Sequence, residues 1–168
     1  MKRTLQGRAH VKLDPKGRVH LPTRFRTGLR NENQLVITNS VHAQKRYLDV
    51  HSMVGWRNLI DQIARLPSLR SDVQAFQRYY ISSGETVDLD GQGRFLIPNH
   101  FRQFAQLNED IVIIGAGAKL EIWGDHNWNK LLTDIENRFD DVVSSIADLT
   151  ETGQLKKPRR RRSLQNDT

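Results

Sequence analysis

Two aspartate–arginine pairs, Asp14 with Arg18 and Asp90 with Arg94, carry the most readable chemistry of this chain. Asp14, Pro15, Lys16 and Gly17 fit a type I turn with aspartate first, proline second and glycine where φ turns positive. A type I turn closed by a left-handed glycine is a common three-residue hairpin loop, which sets Asp14 opposite Arg18. The carboxylate can then orient the guanidinium toward phosphates or toward the N7/O6 edge of guanine, the commonest specific base contact. The same spacing also suits a cross-strand ion pair that only holds the turn, worth about 0.2–1 kcal/mol when exposed. Arg8, Lys12, Lys16 and His20 surround the first pair. They fit a rim that positions phosphate without reading sequence, or else a solvated charged face.

The two pairs belong to an internal duplication. Val11-Lys-Leu-Asp-Pro-Lys-Gly-Arg-Val-His-Leu-Pro22 returns 76 residues later as Val87-Asp-Leu-Asp-Gly-Gln-Gly-Arg-Phe-Leu-Ile-Pro98. The same interval carries Phe25-Arg26 onto Phe101-Arg102 and Leu35-Val-Ile37 onto Ile111-Val-Ile113. Each copy is too short to bury a good core alone, so the halves are expected to interlock about a pseudo-two-fold axis. Strand periodicity predicts cross-strand pairs Leu13–Val19, Lys12–His20 and Val11–Leu21, with Leu89–Phe95 and Val87–Ile97 in the second copy. Val11, Leu13, Val19 and Leu21 form the apolar face, and Lys12, Asp14, Arg18 and His20 the wet one. The wet faces differ between copies: Lys12, Lys16 and His20 become Asp88, Gln92 and Leu96. The first hairpin is therefore expected to make the stronger contacts with a polyanion.

The elements around the hairpins follow from local signals. Pro22 and Pro98 stand where short helices could begin, over Thr23 to Arg30 and Asn99 to Leu107. Gln34–Thr38 with Tyr47–Val50, and Asp110–Ile114 with Leu120–Trp123, read as further hairpins. Trp56 and Trp128 lie only 72 residues apart, which places a four-residue insertion in the first copy's loop. Trp128, Leu132, Ile135, Phe139, Val142, Ile146 and Leu149 make a heptad stripe behind Asp125, suited to packing on its own barrel or to a helix–helix seam. Trp56, Leu59, Ile60 and Ile63 begin a similar stripe that Pro67 cuts short. Residues 71–81 read as a connecting helix whose Asp72, Arg78, Phe76, Tyr79 and Tyr80 are structural.

Composition narrows the function. The net charge of +7 is concentrated: residues 1–30 hold nine Lys/Arg against Asp14, while residues 31–155 hold eleven against seventeen Asp/Glu. Residues 156–168 add six basic groups against Asp167. Two basic segments flanking an acidic body suit nucleic acid met by particular surfaces. No apolar run is long enough for a bilayer and no secretion signal opens the chain, which predicts a cytoplasmic protein. Absence of cysteine removes disulfides, thiolate nucleophiles and cysteine-based zinc sites. His10, Asp14 and His20 could lie near one another, but Lys12 and Arg18 would repel a cation there. Gly115-Ala-Gly117 reads as a hairpin turn, and no phosphate loop, zinc-protease helix or nucleophile elbow is present. No enzyme, cofactor or small-molecule substrate is expected.

A duplicated Asp-x-x-x-Arg hairpin, each followed by a proline-led Phe-Arg segment, resembles the MraZ family, built on the swapped-hairpin fold of AbrB-type transcription factors. The resemblance rests on Leu13-Asp-Pro-Lys-Gly-Arg18, Pro22-Thr-Arg-Phe-Arg26, Asp90-Gly-Gln-Gly-Arg94, Pro98-Asn-His-Phe-Arg102 and Leu120-Glu-Ile-Trp123. It implies an α+β fold: a tandem duplicated AbrB-like swapped-hairpin β-barrel with short helices and a longer packing helix after each half. The division expected is 1–70 for the first half, 71–84 for the connecting helix, 85–150 for the second half and 151–168 for a disordered basic tail. The function implied is a nucleoid-associated DNA-binding regulator, usually a repressor, of the cell-division and cell-wall gene cluster. Such a regulator binds short direct repeats as a ring-like homo-oligomer. The DNA-binding residues implied are Arg8, Lys12, Asp14, Lys16, Arg18, His20, Asp90 and Arg94. An RNA-binding or structural ring-forming protein is the alternative.

Overall fold

The structure, a computed structural model, describes residues 4–151. The basic tail expected at 151–168 lies, beyond residue 151, outside the described residues. The chain divides into two compact units, Met1–Leu131 and Leu132–Thr168.

The first unit is a mixed α+β assembly. Its strands are β1 (Arg8–Lys12), β2 (Arg18–His20), β3 (Gln34–His42), β4 (Lys45–Ser52), β5 (Glu85–Asp88), β6 (Arg94–Leu96), β7 (Asp110–Gly115) and β8 (Leu120–Gly124). The helices α1 (Thr23–Gly28), α2 (Met53–Ala64), α3 (Ser71–Phe76) and α4 (Asn99–Phe104) intervene, and α5 (Asp125–Glu136) begins here. Six strands form one antiparallel sheet in the order β1-β7-β8-β4-β3-β5, and β2 and β6 form a separate two-stranded ribbon.

This arrangement corrects the simple hairpins expected from strand periodicity. The pairs Val11–Leu21, Lys12–His20 and Leu13–Val19 do not form, nor do Leu89–Phe95 and Val87–Ile97. Instead β1 pairs with β7, setting Lys12 opposite Asp110, while β5 pairs with β3, setting Asp88 opposite Gln34. Only the turn necks close as expected, where the Asp14 amide donates to the Arg18 carbonyl at 2.9 Å and the Asp90 amide to the Arg94 carbonyl at 2.8 Å. Period-two alternation fixes which face of a strand is buried but leaves the partner strand open. The face assignment therefore holds, with Leu13, Val19, Leu21, Val87, Phe95 and Ile97 all buried.

The halves exchange strands symmetrically. Val19 faces its own counterpart Phe95 in the ribbon, and Asp49 faces its counterpart Glu121 where β4 meets β8. The pseudo-two-fold axis passes between these pairs. One core cluster joins Leu13, Val19, Phe25, Leu35 and Ile37 of the first half to Phe95, Ile97, Phe101, Ile111 and Ile113 of the second. Each such burial is worth about 1.5–3 kcal/mol, and most of it requires both halves.

Several boundaries depart from expectation. Pro22 and Pro98 precede their helices as extended N-cap residues, with ψ of 142° and 147°, rather than opening the first turn. The helices stop at Gly28 and Phe104, after which Arg30, Asn31 and Gln106 adopt positive φ and reverse the chain. The insertion in the first half lengthens the arms of the β3–β4 hairpin instead of its loop. That hairpin closes on a two-residue turn with Ala43 and Gln44 at φ 47° and 61°. Residues 71–81 are helical, but as α3 followed by a π-helical turn, Gln77–Ile81. Their structural role is clear at Tyr80, whose hydroxyl donates to buried Asp49 at 2.6 Å and lies 2.7 Å from His51 Nε2. Lys119 also engages Asp49. Burial, helped by Lys119, pulls the His51 imidazole down to about 4, so it stays neutral at physiological pH.

In the second unit the expected continuous stripe is broken. The helix α5 ends at Glu136, and α6 (Phe139–Glu151) follows after Asn137 and Arg138. The Arg138 amide donates three residues back, to Ile135, which tightens and closes α5. A heptad count does not register a two-residue interruption that keeps its phase. Phe139, Val143 and Ile146 are exposed. Among the described residues, no helix is long and apolar enough to cross a membrane.

Candidate nucleic-acid interface

Each turn is a self-contained hydrogen-bonded unit built around its aspartate. Asp14 Oδ1 accepts from the Lys16 and Arg18 amides, both at 2.9 Å, and Oδ2 accepts from Arg18 Nε at 2.7 Å. Asp90 repeats the pattern, with Gln92 and Arg94 amides at 2.9 Å and Arg94 Nε at 2.9 Å. Three donors thus converge on each carboxylate, and each guanidinium is held by Nε with its two amino groups left to act elsewhere. Backbone donation from Arg18, joined by its guanidinium, holds the Asp14 carboxyl below the usual carboxylate range, and Arg94 does the same for Asp90. Gly17 and Gly93 close the turns at φ +84° and +75°.

The ribbon brings the two turns onto one surface. Val19 and Phe95 point into the core, so alternation sends Arg18, His20, Arg94 and Leu96 to the outer face. Arg18 stands opposite Leu96 and His20 opposite Arg94, which makes the two arginines diagonal neighbours on the order of 7–8 Å apart at the backbone. Both remain partly open to solvent, at 39% and 37% of their side-chain area. A major groove is wide enough to admit a two-stranded ribbon of this kind, with its two braced guanidinium forks.

The expected rim is only partly assembled there. Lys16 is exposed at the tip of its turn and His20 is exposed on the ribbon. Lys12 belongs to the six-stranded sheet, and its amine is engaged by Asp110 at 2.9 Å and Glu109 at 3.0 Å, which correspondingly raises its pKa. It is thus neutralised locally. Arg8, at the far end of β1, lies 5.2 Å over the Trp128 ring. His10 is on the same strand, 3.9 Å from Asp125, apart from His20 on the ribbon. Among the described residues no group of three or more His, Asp or Glu is placed to hold a metal ion.

Two residues that the sequence pattern does not single out reach the turns. Arg102 lies on the first turn, and Arg26 on the second. The available signal was the repeat of Phe25-Arg26 as Phe101-Arg102, which marks the duplication but does not reveal that each arginine serves the opposite half. A cavity of about 760 Å³, bordered by Leu5, Leu29, Arg30 and Asn58, holds none of the turn residues. Lys16, Arg18, His20 and Arg94 all belong to the ribbon and its turns rather than to that cavity.

Comparison with known proteins agrees with the duplicated architecture. The family model described as "MraZ protein, putative antitoxin-like" matches residues 4–79 and again 81–148. A protein named "Transcriptional regulator MraZ" from Heliobacterium modesticaldum is 36% identical over 136 residues, covering 81% of this chain and 92% of its own length. Proteins of the same name from Natranaerobius thermophilus and Moorella thermoacetica are 35% and 31% identical, over 81% and 84% of the chain and 92% and 96% of theirs.

Proposed function

This chain belongs to the MraZ family, and from that premise we propose that it is a transcription regulator that binds double-stranded DNA through the outer face of the β2–β6 ribbon. The carrying observation is the ribbon register, with its Asp14-braced Arg18 and Asp90-braced Arg94 on one surface. Arg18 reads base edges from the first turn and Arg94 from the second, while Lys16 and His20 position phosphates. The strand exchange supports the AbrB-like swapped-hairpin reading of the fold.

The family resemblance extends the proposal. The target is a set of short direct repeats upstream of the cell-division and cell-wall gene cluster, the outcome is repression, and the protein acts in the cytoplasm at the nucleoid. A single ribbon offers few base contacts. Several copies in a ring facing spaced repeats would bind with high effective concentration, so weak individual boxes make a firm site. Within this proposal the halves are 1–70 and 85–150, joined by 71–84, and the basic residues after 151 add salt-sensitive, sequence-independent affinity.

The test is binding of the full chain to duplex DNA from upstream of its own gene, against a scrambled duplex and RNA of the same sequence, across a salt series. A preference for the upstream duplex that persists as salt rises supports the proposal. Equal binding that fades with salt, or preference for the RNA, overturns it.

A further inference from the structure

The two turns are not held by their own halves alone. An ideal Cβ built on Gly17 would stand 2.6, 2.7 and 2.9 Å from Cζ, Nε and Nη1 of Arg102. One built on Gly93 would stand 2.7, 2.8 and 2.8 Å from Nη1, Cζ and Nε of Arg26. Three guanidinium atoms nearly equidistant from one point mean that the plane meets the glycine face-on. In both places Nε is buried without a hydrogen-bond partner. The glycine carbonyls are also taken across the halves: the Ile97 amide donates to Gly17 and the Leu21 amide to Gly93, each at 2.9 Å. Arg26 is further steadied by an Nη2 bond to Thr23 Oγ1 at 2.9 Å.

We infer that Arg102 and Arg26 are positioning residues acting across the pseudo-two-fold axis, Arg102 fixing the Asp14–Arg18 turn and Arg26 the Asp90–Arg94 turn. The inference rests on the DNA-binding reading above and deepens it by assigning what orders each reading arginine. A turn glycine at positive φ has wide backbone freedom. A planar cation laid flat on its Cα side, with its carbonyl bonded from the same opposite half, restricts that freedom and holds the adjacent arginine at one angle. The pattern occurs twice, at equivalent residues, with the same unpaired Nε. Burying that donor is unfavourable, and it is tolerated where flat packing on the glycine requires that orientation. A lysine ammonium keeps the charge but has no plane to lay on the turn.

The experiment combines Arg102→Ala and Arg102→Lys with Arg18→Ala and Arg94→Ala in the full chain, reading duplex affinity, its salt slope and backbone amide shifts of the free protein. Arg102→Ala is expected to weaken upstream-duplex binding about tenfold in the otherwise unaltered chain and in Arg94→Ala, but by little more in Arg18→Ala. Arg102→Lys should not restore binding, and the salt slope should stay unchanged. In the free protein, the Gly17 and Arg18 amides should move while Gly93 and Arg94 stay. Rescue by lysine with a salt slope lowered by about one in the alanine variant would make Arg102 a phosphate contact and overturn the inference. Equal losses in Arg18→Ala and Arg94→Ala would overturn it too. Should alanine unfold the chain, lysine remains informative, since its free-protein amide shifts must still single out the first turn. If the unaltered chain shows no duplex preference, the DNA reading fails with its consequence for Arg102. The free-protein shifts then say separately whether the cross-half ordering itself is real.

Discussion

The two turns share a hydrogen-bond network to within 0.2 Å at the aspartate–arginine contact, 2.7 Å in the first and 2.9 Å in the second, yet differ in the polar residues around it. Pro15 and Lys16 of the first correspond to Gly91 and Gln92 of the second, and His20 on the ribbon corresponds to Leu96. Geometry has been kept through the duplication while charge has not. The contrast is narrower than residue types alone suggest, because Lys12 is neutralised by Glu109 and Asp110 and its counterpart Asp88 accepts a bond from Gln34. What distinguishes the turns at the ribbon is therefore Lys16 and His20. The lesson is that a braced arginine is the common device, and the flanking cation sets how strongly each copy draws a polyanion.

The sharpest way to break the comparison is to remove the braced arginines. Arg18→Ala should cost about 1–3 kcal/mol of upstream-duplex binding for each engaged turn, with Arg94→Ala costing less. The double variant should bind upstream and scrambled duplexes alike in a fluorescence-anisotropy titration. If the single variants lose equally, the ranking of the turns is wrong.

A smaller effect separates the glycines by position. Gly17→Ala places a side chain at positive φ and against the Arg102 guanidinium, and should destabilise the fold by about 1–3 kcal/mol in urea unfolding. Gly91→Ala meets nothing within 4 Å and should stay within about 0.5 kcal/mol of the unaltered chain. Smaller again is the exchange of flanking charge. Lys16→Gln should weaken binding to all duplexes alike and lower the salt slope by about one, and Gln92→Lys should raise it by a similar amount.

The smallest effect concerns protonation, and here the two turns should agree. Both aspartates have pKa values lowered from 3.8 by backbone and guanidinium donation. A carboxyl lowered on folding contributes stability that is complete above its unfolded pKa and is lost as pH falls through the folded one. Carboxyl signals of Asp14 and Asp90 in a nuclear magnetic resonance titration should therefore show midpoints below the usual carboxylate range, shifting in parallel. Divergence between them would show that the networks are not equivalent in solution.

Much of this molecule was legible in sequence, for identifiable reasons. The turns were, because aspartate, glycine and arginine at those spacings each have a steric or hydrogen-bonding cause. Buried faces were legible too, because alternation fixes them. Strand partners were not: β1 could satisfy its apolar face equally on β2 or on β7, and only three-dimensional closure chooses. That choice placed Lys12 beside Glu109 and Asp110 and brought Arg18 and Arg94 onto one ribbon. The contributions of Arg26 and Arg102 were hidden for the same reason, since Arg26 lies against the turn of Gly93 and Arg102 against that of Gly17, far apart in the sequence. The break at Asn137 and Arg138 escaped because apolar spacing continued across it.

The most direct measurement is amide chemical-shift mapping of the full chain as the upstream duplex is added. The account predicts the largest changes at residues 14–20 and 90–96, on the ribbon and both turns, with the cavity residues Arg30 and Asn58 unmoved. Changes concentrated around that cavity, or spread over basic residues without regard to the ribbon, would contradict it.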